Sequence, residues 1–304
     1  MKTAFLFAGQ GAQTVGMGKS LYEYSSAAKA LYEEADKVLG WSLSEISFGG
    51  PEETLTETKV CQPALFCHGM AALATLRESG SNENPVATLG LSLGEVTALT
   101  AAGVFTFANG LRVVARRGEL MQKACEETPG AMACLIGGDL AKAQELCEEC
   151  DVDMANLNCP GQIVISGHRE GIDKALAEGK AKGFKHVIPL KVAGAYHSRL
   201  MESARRAFGE FLQEIPTQDV KTTVFTNTTG QAVVGRAAIL EALEKQVVSP
   251  VRWEDCMRNA AALGVERFLE FGPGGVLAGL AKRTDRSWKV LPVNEASDLP
   301  ALSG

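Results

Sequence analysis

Short apolar runs alternate with longer amphipathic segments along almost the whole chain, and this alternation limits the fold more than any other feature. Runs such as Thr3–Phe7, residues 86–89 and Arg267–Phe271 have the length of buried strands, and the segments between them show helical periodicity. The sequence contains no internal repeat. Strands that alternate with helices in this way are typical of an α/β fold.

Residues 129–194 follow a different rhythm from the rest of the chain. Runs with strand patterning lie at 131–136, 152–157, 162–166 and 185–191, and helical patterns occupy 140–150 and 170–182. The resulting order, β-α-β-β-α-β, is that of a ferredoxin-like unit. We therefore expect a small lobe at 129–194, inserted into a larger α/β domain formed by residues 1–128 and 195–304.

Charge and composition narrow the classes of function. The formal net charge is −6, whereas proteins that hold nucleic acid by its backbone need a cationic surface, so no nucleic-acid partner is expected. No apolar stretch has the length of a transmembrane helix and the amino terminus lacks a signal-peptide pattern, which predicts a cytoplasmic protein without a membrane partner. The lone Cys147-x-x-Cys150 pair lacks a second pair at zinc-ligand spacing, so no metal site is expected.

The sequence Gly-Leu-Ser-Leu-Gly at residues 90–94 joins one apolar run to a helical segment. G-x-S-x-G between a strand and a helix is the pattern of a nucleophile elbow, in which the glycines permit a tight turn that exposes the serine Oγ. The start of the following helix offers free N–H groups and a dipole that favours negative charge. Ser92 is therefore the candidate nucleophile, and the alternative is an ordinary strand–helix turn.

A serine nucleophile needs a general base, and the chain has 4 histidines. His68 lies within an apolar helical segment, as a core residue would, while His168 lies in a polar turn and His186 opens a strand. His197 follows the small residues 193–195, where the small lobe returns to the larger domain. This position favours His197 as the base, and the other three histidines remain alternatives.

One arginine falls on the apolar face of a helix expected at 106–126. At about 100° per residue, Arg112 and Arg116 share a polar face, whereas Arg117 lies among apolar residues such as Val113 and Leu120. A buried guanidinium must be paired, because an unpaired buried charge is costly. Its partner is either an internal carboxylate or a substrate carboxylate held by two hydrogen bonds, and the spacing does not choose between them.

Several motifs together resemble the malonyl-CoA:acyl carrier protein transacylases and, more widely, the acyltransferase domains of fatty acid and polyketide synthases. The resemblance spans nearly the whole chain. Its markers are GQGAQ (9–13), QPAL (62–65), GLSLGE (90–95), RRGELMQ (116–122), NLNCPGQIVISG (156–167), GAYHSRLM (194–201), SPVRW (249–253) and EFGPG (270–274). It implies an α/β-hydrolase-like core with an inserted ferredoxin-like small lobe.

The resemblance also implies roles for individual residues. Ser92 would carry the acyl group, with His197 as its base and then as the acid for the departing thiol. The backbone N–H groups of Gln10 and Leu93 would form the oxyanion hole. Arg117 would bind the free carboxylate of a malonyl group, which decides between the two partners in favour of substrate and explains discrimination against acetyl groups.

The chain departs from the family pattern at several positions. Leu91 stands where the family usually has His before the nucleophile, and Tyr196 replaces the usual Phe beside the base. The position whose backbone carbonyl is expected to orient His197 is often Gln or Asn, and here it is Arg252. Because a carbonyl contact does not depend on the side chain, Arg252 is kept as the orienting residue.

The activity that the resemblance implies is transfer of a malonyl group from malonyl-CoA to the phosphopantetheine thiol of acyl carrier protein, by a ping-pong mechanism through a malonyl-serine intermediate. No cofactor or metal would be needed beyond these two thiol carriers. An acidic carrier protein requires a local basic surface, and the candidates are Lys180, Lys182, Lys185, Arg199, Arg205 and Arg206. The alternatives are a serine acyl hydrolase on the same core and a non-catalytic module that binds the carrier protein.

Overall fold

A computed structural model describes residues 1–302, and over that range the chain forms one six-stranded and one four-stranded sheet with helices around them. The strands are β1 (Thr3–Phe7), β2 (Ala87–Gly90), β3 (Ala131–Ile136), β4 (Asp153–Cys159), β5 (Gln162–Gly167), β6 (His186–Pro189), β7 (Thr223–Phe225), β8 (Ala232–Val233), β9 (Arg267–Phe271) and β10 (Val290–Pro292).

The α-helices, in chain order, are α1 (Lys19–Tyr24), α2 (Ser26–Leu39), α3 (Leu43–Gly49), α4 (Glu52–Thr56), α5 (Thr58–Glu78), α6 (Gly94–Ala101), α7 (Phe107–Glu127), α8 (Leu140–Cys150), α9 (Arg169–Glu178), α10 (Glu202–Gln213), α11 (Arg236–Gln246), α12 (Trp253–Ala261) and α13 (Val276–Thr284). Short 3-10 helices lie at Arg199–Met201, Pro273–Gly275 and Ala296–Leu302. No helix within residues 1–302 is long and apolar enough to cross a membrane.

The larger sheet has the strand order β10-β9-β1-β2-β7-β8. Its strands run parallel except for β8, which pairs antiparallel with β7. All five residues of the central strand β1 are buried. Phe5 and Phe7 pack into one hydrophobic cluster, and Ala4 and Leu6 pack into another. The uninterrupted apolar run of β1 thus reflects burial on both faces, as is usual in a parallel sheet.

The smaller sheet has the antiparallel order β4-β5-β3-β6. Residues such as Leu135 and Ile165 pack on one face against Leu146 of α8 and Ile172 of α9. Met132 and Val164 belong instead to the core cluster of the larger sheet. The four-stranded sheet therefore packs its own helices on one face and contacts the rest of the chain with the other.

The structure differs from the expected elements mainly at helix ends. The helix expected at 19–39 is broken at Ser25, whose side chain accepts a hydrogen bond from Ala28 N and caps α2. The helix expected at 170–182 ends at Glu178. Helices α3, α4, α12 and α13 and strands β8 and β10 were not expected, because their short patterns resemble loops.

The register of the larger sheet determines where the Gly-Gln-Gly motif and the G-x-S-x-G motif meet. Phe7 at the end of β1 pairs with Gly90 at the end of β2. The Gly-Gln-Gly turn and the serine turn therefore leave neighbouring strands at the same edge. The carboxyl edge of a parallel sheet is the usual place for a binding site in α/β folds.

Candidate active site

The turn at Ser92 is a tight, strained elbow. A Cβ on Gly90 would lie 1.8 Å from the carbonyl oxygen of Gly94, and one on Gly94 would lie 2.3 Å from the carbonyl oxygen of Phe7. The backbone of Ser92 has φ 55°, and His197 has φ 56°. Non-glycine residues rarely adopt positive φ, and such strain is concentrated at functional sites.

Ser92 and His197 form a hydrogen-bonded pair. Ser92 Oγ lies 2.8 Å from His197 Nε2, and His197 Nδ1 lies 2.8 Å from the backbone carbonyl oxygen of Gln246. Since a carbonyl oxygen can only accept, Nδ1 must carry the proton, which leaves Nε2 free to accept the Ser92 hydroxyl proton. This arrangement is that of a serine nucleophile with its general base.

The residue that orients His197 is Gln246, so the expectation for Arg252 was wrong. Arg252 N donates to the Asn227 carbonyl, and its guanidinium pairs with Asp255. Gln246 is the last residue of α11, where the carbonyl groups lack helical partners and the dipole favours positive charge. This carbonyl can therefore fix the ring and stabilise the imidazolium that forms when His197 accepts a proton.

Burial and a neighbouring cation both disfavour the protonated form of His197. Burial in the site lowers the pKa of His197 from its ordinary 6.5 to about 4, and the positive charge of Arg117 adds to the effect. The ring is therefore neutral at physiological pH, as a general base must be.

Arg117 of α7 is 1% exposed and reaches the elbow directly. One terminal nitrogen, Nη1, donates to Gln62 Oε1 at 2.8 Å; the other, Nη2, donates to Gln246 Oε1 at 2.8 Å and to Ser92 Oγ at 3.1 Å. Its Nε–H has no partner in the described part of the chain. No ion pair to an Asp or Glu forms at Arg117 within residues 1–302.

The carboxylate of Glu95 lies near this cation, but the side chain of Gln246 stands between them and bonds to both. Its Oε2 accepts from Gln246 Nε2 at 2.7 Å and from the backbone N–H of Asn227 at 2.9 Å. Burial lowers the pKa of Arg117 to about 10, and the charge of Glu95 acts against that lowering. The guanidinium therefore stays charged at neutral pH, although no carboxylate of residues 1–302 pairs with it directly.

Asn227, just after β7, fixes the backbone of the elbow. Its Oδ1 accepts from Ser92 N at 2.7 Å, and its Nδ2 donates to the Gly90 carbonyl at 2.9 Å. Gln246 Nε2 also donates to the Ser92 carbonyl at 3.0 Å. Sequence reasoning missed Asn227, Gln246 and Glu95 in these positions; the only signal was that Glu95 belongs to the GLSLGE motif.

Ser92, His197 and Arg117 line a cleft of about 540 Å³ together with Gln10 and residues of the four-stranded sheet. The sheet contributes Met132, Asn156, Asn158, Gln162 and Val164. A cleft of this size, with few converging polar groups, suits a small-molecule thioester or its pantetheine arm.

The backbone N–H groups of Gln10 and Leu93 have no hydrogen-bond partner among residues 1–302. The turn that carries Gln10 packs on the elbow, since a Cβ on Gly9 would lie 2.5 Å from the Leu91 carbonyl oxygen. Leu93 directly follows Ser92. Unpaired N–H groups in the turns beside a candidate nucleophile are the kind of donor that an oxyanion requires.

Comparison with known proteins places this geometry in a family. The model of the acyl transferase domain family matches residues 4–303. The chain belongs to the acyl transferase family. A malonyl CoA-acyl carrier protein transacylase of Bacillus subtilis (strain 168) is 42% identical over 299 residues, which cover 97% of this chain and 94% of the relative. The resemblance drawn from the motifs is confirmed.

Solved structures of acyl transferases have the same fold. An acyl-carrier-protein-S-malonyltransferase from Bartonella henselae superimposes with a TM-score of 0.95 at 36% identity, covering 99% of this chain and 98% of the other. A malonyl-transacylase in complex with a holo acyl carrier protein of a type II polyketide synthase also gives 0.95, at 35% identity, with the same shares covered. The α/β fold expected from the alternation of elements is confirmed.

The structure shows the contacts of Leu91 and Tyr196, two positions at which the chain departs from the acyl transferase pattern. Leu91 is half-buried: it packs against the cluster that contains Leu6 and Trp253 and also lines the cleft. The Tyr196 hydroxyl contacts Thr58 Oγ1 and accepts a 3.4 Å hydrogen bond from Gln10 Nε2. Tyr196 thus connects the segment that carries His197 to the side chain of Gln10 in the Gly-Gln-Gly turn.

Most of the basic residues expected to form a carrier-binding surface already have acidic partners. Those in ion pairs are Lys182, Arg199, Arg205 and Arg206. Since each such pair offsets a positive charge, this group is less cationic than the sequence suggested. Lys191, which lines the cleft itself, was not among the candidates.

Proposed function

We propose that this acyl transferase moves a malonyl group from malonyl-CoA to the phosphopantetheine thiol of an acyl carrier protein. The observation that carries the proposal is a buried arginine that pairs with no carboxylate among residues 1–302 and lies 3.1 Å from the Oγ of a serine paired with histidine. A buried cation in a substrate cleft is a site for an anionic group, and malonate supplies one carboxylate beyond its thioester. The names of the relatives agree with this substrate.

In the first half-reaction, Ser92 Oγ transfers its proton to His197 Nε2 and attacks the thioester carbonyl carbon. The backbone N–H groups of Gln10 and Leu93 stabilise the oxyanion of the tetrahedral intermediate. When the intermediate collapses, the C–S bond breaks and the imidazolium returns the proton to the leaving sulfur. The products are malonyl-Ser92 and coenzyme A.

The second half-reaction reverses these roles with a different thiol. His197 accepts the proton of the phosphopantetheine thiol, whose sulfur attacks the ester carbonyl of malonyl-Ser92. Collapse of the intermediate breaks the bond to Ser92 Oγ, which regains a proton from the imidazolium. The chain's own side chains and backbone groups account for both steps, and no cofactor enters either one.

Arg117 has a second effect on this chemistry beyond binding. Its positive charge adds to burial in lowering the pKa of His197. A bound malonyl carboxylate offsets that charge, so the pKa of His197 rises towards its ordinary value and the base becomes stronger when the correct acyl group is present. An acetyl group cannot produce this change.

The proposal includes the architecture of an α/β-hydrolase-like core, residues 1–128 and 195–304, and a ferredoxin-like small lobe, residues 129–194; residues 303 and 304 lie outside the described range. Support comes from the largely parallel six-stranded sheet with the serine elbow after β2, and from the four-stranded order β6-β3-β5-β4. The cleft between the sheets then has catalytic groups on one side and the small lobe on the other.

Steady-state kinetics test the proposed reaction. Initial rates of malonyl transfer would be measured at several concentrations of malonyl-CoA and of purified holo acyl carrier protein. A covalent intermediate predicts parallel lines in double-reciprocal plots, with free malonate a minor product. Intersecting lines would contradict the ping-pong mechanism, and malonate release without transfer would show that the protein is a hydrolase.

A further inference from the structure

The two side chains that hold the Arg117 guanidinium are neutral amides. Gln62 Oε1 accepts from Nη1 and Gln246 Oε1 accepts from Nη2, each at 2.8 Å. The ordinary partner for a buried arginine is a carboxylate, which would offset its charge. Here the carboxylate of Glu95 is separated from Arg117 by the amide of Gln246.

Gln62 has little other reason to be polar. It lies in α5, is 1% exposed and lines the cleft. Among residues 1–302, its Nε2 makes only a 3.6 Å contact with Met121 Sδ, a weak acceptor. Within the described range 1–302, the one strong hydrogen bond of this side chain is therefore the bond from Arg117.

An amide oxygen fixes a guanidinium without neutralising it. A guanidinium has five N–H donors, and Gln62, Gln246 and Ser92 use three of those of Arg117. The donors left over include Nε–H, which has no partner within residues 1–302. Arg117 is thus held in place with both its charge and part of its hydrogen-bonding capacity available to a ligand.

We infer that Gln62 is a positioning residue that determines acyl-group specificity through Arg117. Its neutral amide holds the guanidinium while reserving the positive charge for the substrate carboxylate. The inference rests on the proposed function and adds to it a residue and a reason for its chemistry: glutamate, which has the same shape, would form an internal ion pair and compete with malonate.

The decisive variant is Gln62→Glu, with Gln62→Met as its matched control. For each protein, kcat and KM are measured with malonyl-CoA and with acetyl-CoA, and folding is checked by thermal unfolding. In Gln62→Glu, the malonyl-to-acetyl ratio of kcat/KM should fall on the order of 100-fold, mostly because the KM for malonyl-CoA rises. The added carboxylate would pair with the buried Arg117 guanidinium in place of the malonyl carboxylate. In Gln62→Met, malonyl kcat/KM should fall only about tenfold, through a higher KM, and the preference should persist, because one hydrogen bond is lost and the charge remains.

Three outcomes would overturn the inference. They are an unchanged preference in Gln62→Glu, an equal loss of preference in Gln62→Met, and no change of malonyl KM in Gln62→Met. The last criterion decides the matter even where Gln62→Glu fails to fold. The unaltered protein, assayed in parallel, distinguishes failure of the proposed function from failure of the role of Gln62. If the unaltered protein transfers no malonyl group, the proposed function itself fails. If it transfers normally and the variants keep its preference, only the role of Gln62 is refuted.

Discussion

Replacing Arg117 with alanine should change which acyl group the protein accepts. The side chain is 1% exposed, and in the variant a malonyl carboxylate would enter a buried site without a counter-charge. Removing one partner of a buried, hydrogen-bonded charge pair costs roughly 2–5 kcal/mol. Taking about 3 kcal/mol, malonyl acylation of Ser92 should slow on the order of 100-fold.

Acetyl-CoA should respond in the opposite direction or not at all. An acetyl group makes no ion pair with Arg117, so its binding loses nothing. The charge of Arg117 also contributes to the low pKa of His197, so its removal leaves a stronger base. The malonyl-to-acetyl ratio should therefore fall by at least the malonyl loss.

The assay is single-turnover acylation, in which the fraction of acylated protein is followed by intact mass after acid quenching. Arg116→Ala is the matched control, because Arg116 is the adjacent residue of α7 but is exposed and pairs with Glu119. A malonyl preference that survives in Arg117→Ala, or falls equally in Arg116→Ala, would refute the carboxylate-binding role.

Three further predictions concern the base, the buried core and the elbow. His197→Ala should lose acylation by a factor on the order of 1,000 or more, whereas His68→Leu should retain it; the reverse result would move the base to His68. Burial lowers the pKa of His68 to about 4, so between pH 6.5 and pH 4 the unfolded chain binds a proton that the folded chain does not. The free energy of unfolding should therefore decrease as the pH is lowered from 6.5 to 4. Urea unfolding at pH 7 and pH 4.5 should show a decrease smaller by about 2 kcal/mol in His68→Leu, and an equal decrease would contradict the buried neutral state. Leu91→His should fold and change the acylation rate by less than about tenfold, since the elbow is held by Asn227; unfolding of the variant by circular dichroism would instead show that the packing of Leu91 is essential.

Local patterns in the sequence were sufficient to predict the elements that carry the site. The apolar run of β1 and the helical periodicity around Arg117 are properties of neighbouring residues, and the structure has both elements as expected. The position of Arg117 on a buried helix face followed from the same periodicity. The order β-α-β-β-α-β at 131–189 also appears in the chain, although the exact ends of its helices depend on caps that periodicity does not specify.

The contacts that complete the site could not be predicted in the same way. The carbonyl that orients His197 comes from the end of α11, and which carbonyl faces the ring depends on how that helix packs rather than on any motif. The SPVRW motif instead indicated Arg252, which lies six residues after Gln246, as the residue that orients His197. Gln62 and Asn227 are single amides whose partners lie in distant segments, so their function is visible only in three dimensions.

The central claim is that Ser92 carries a malonyl group between two thiols. The most direct test is to incubate the protein with malonyl-CoA alone, measure its intact mass and map the modified peptide. We expect one malonyl adduct on Ser92, which disappears as malonyl carrier protein forms when holo acyl carrier protein is added. An adduct on another residue, or no adduct while free malonate accumulates, would contradict it.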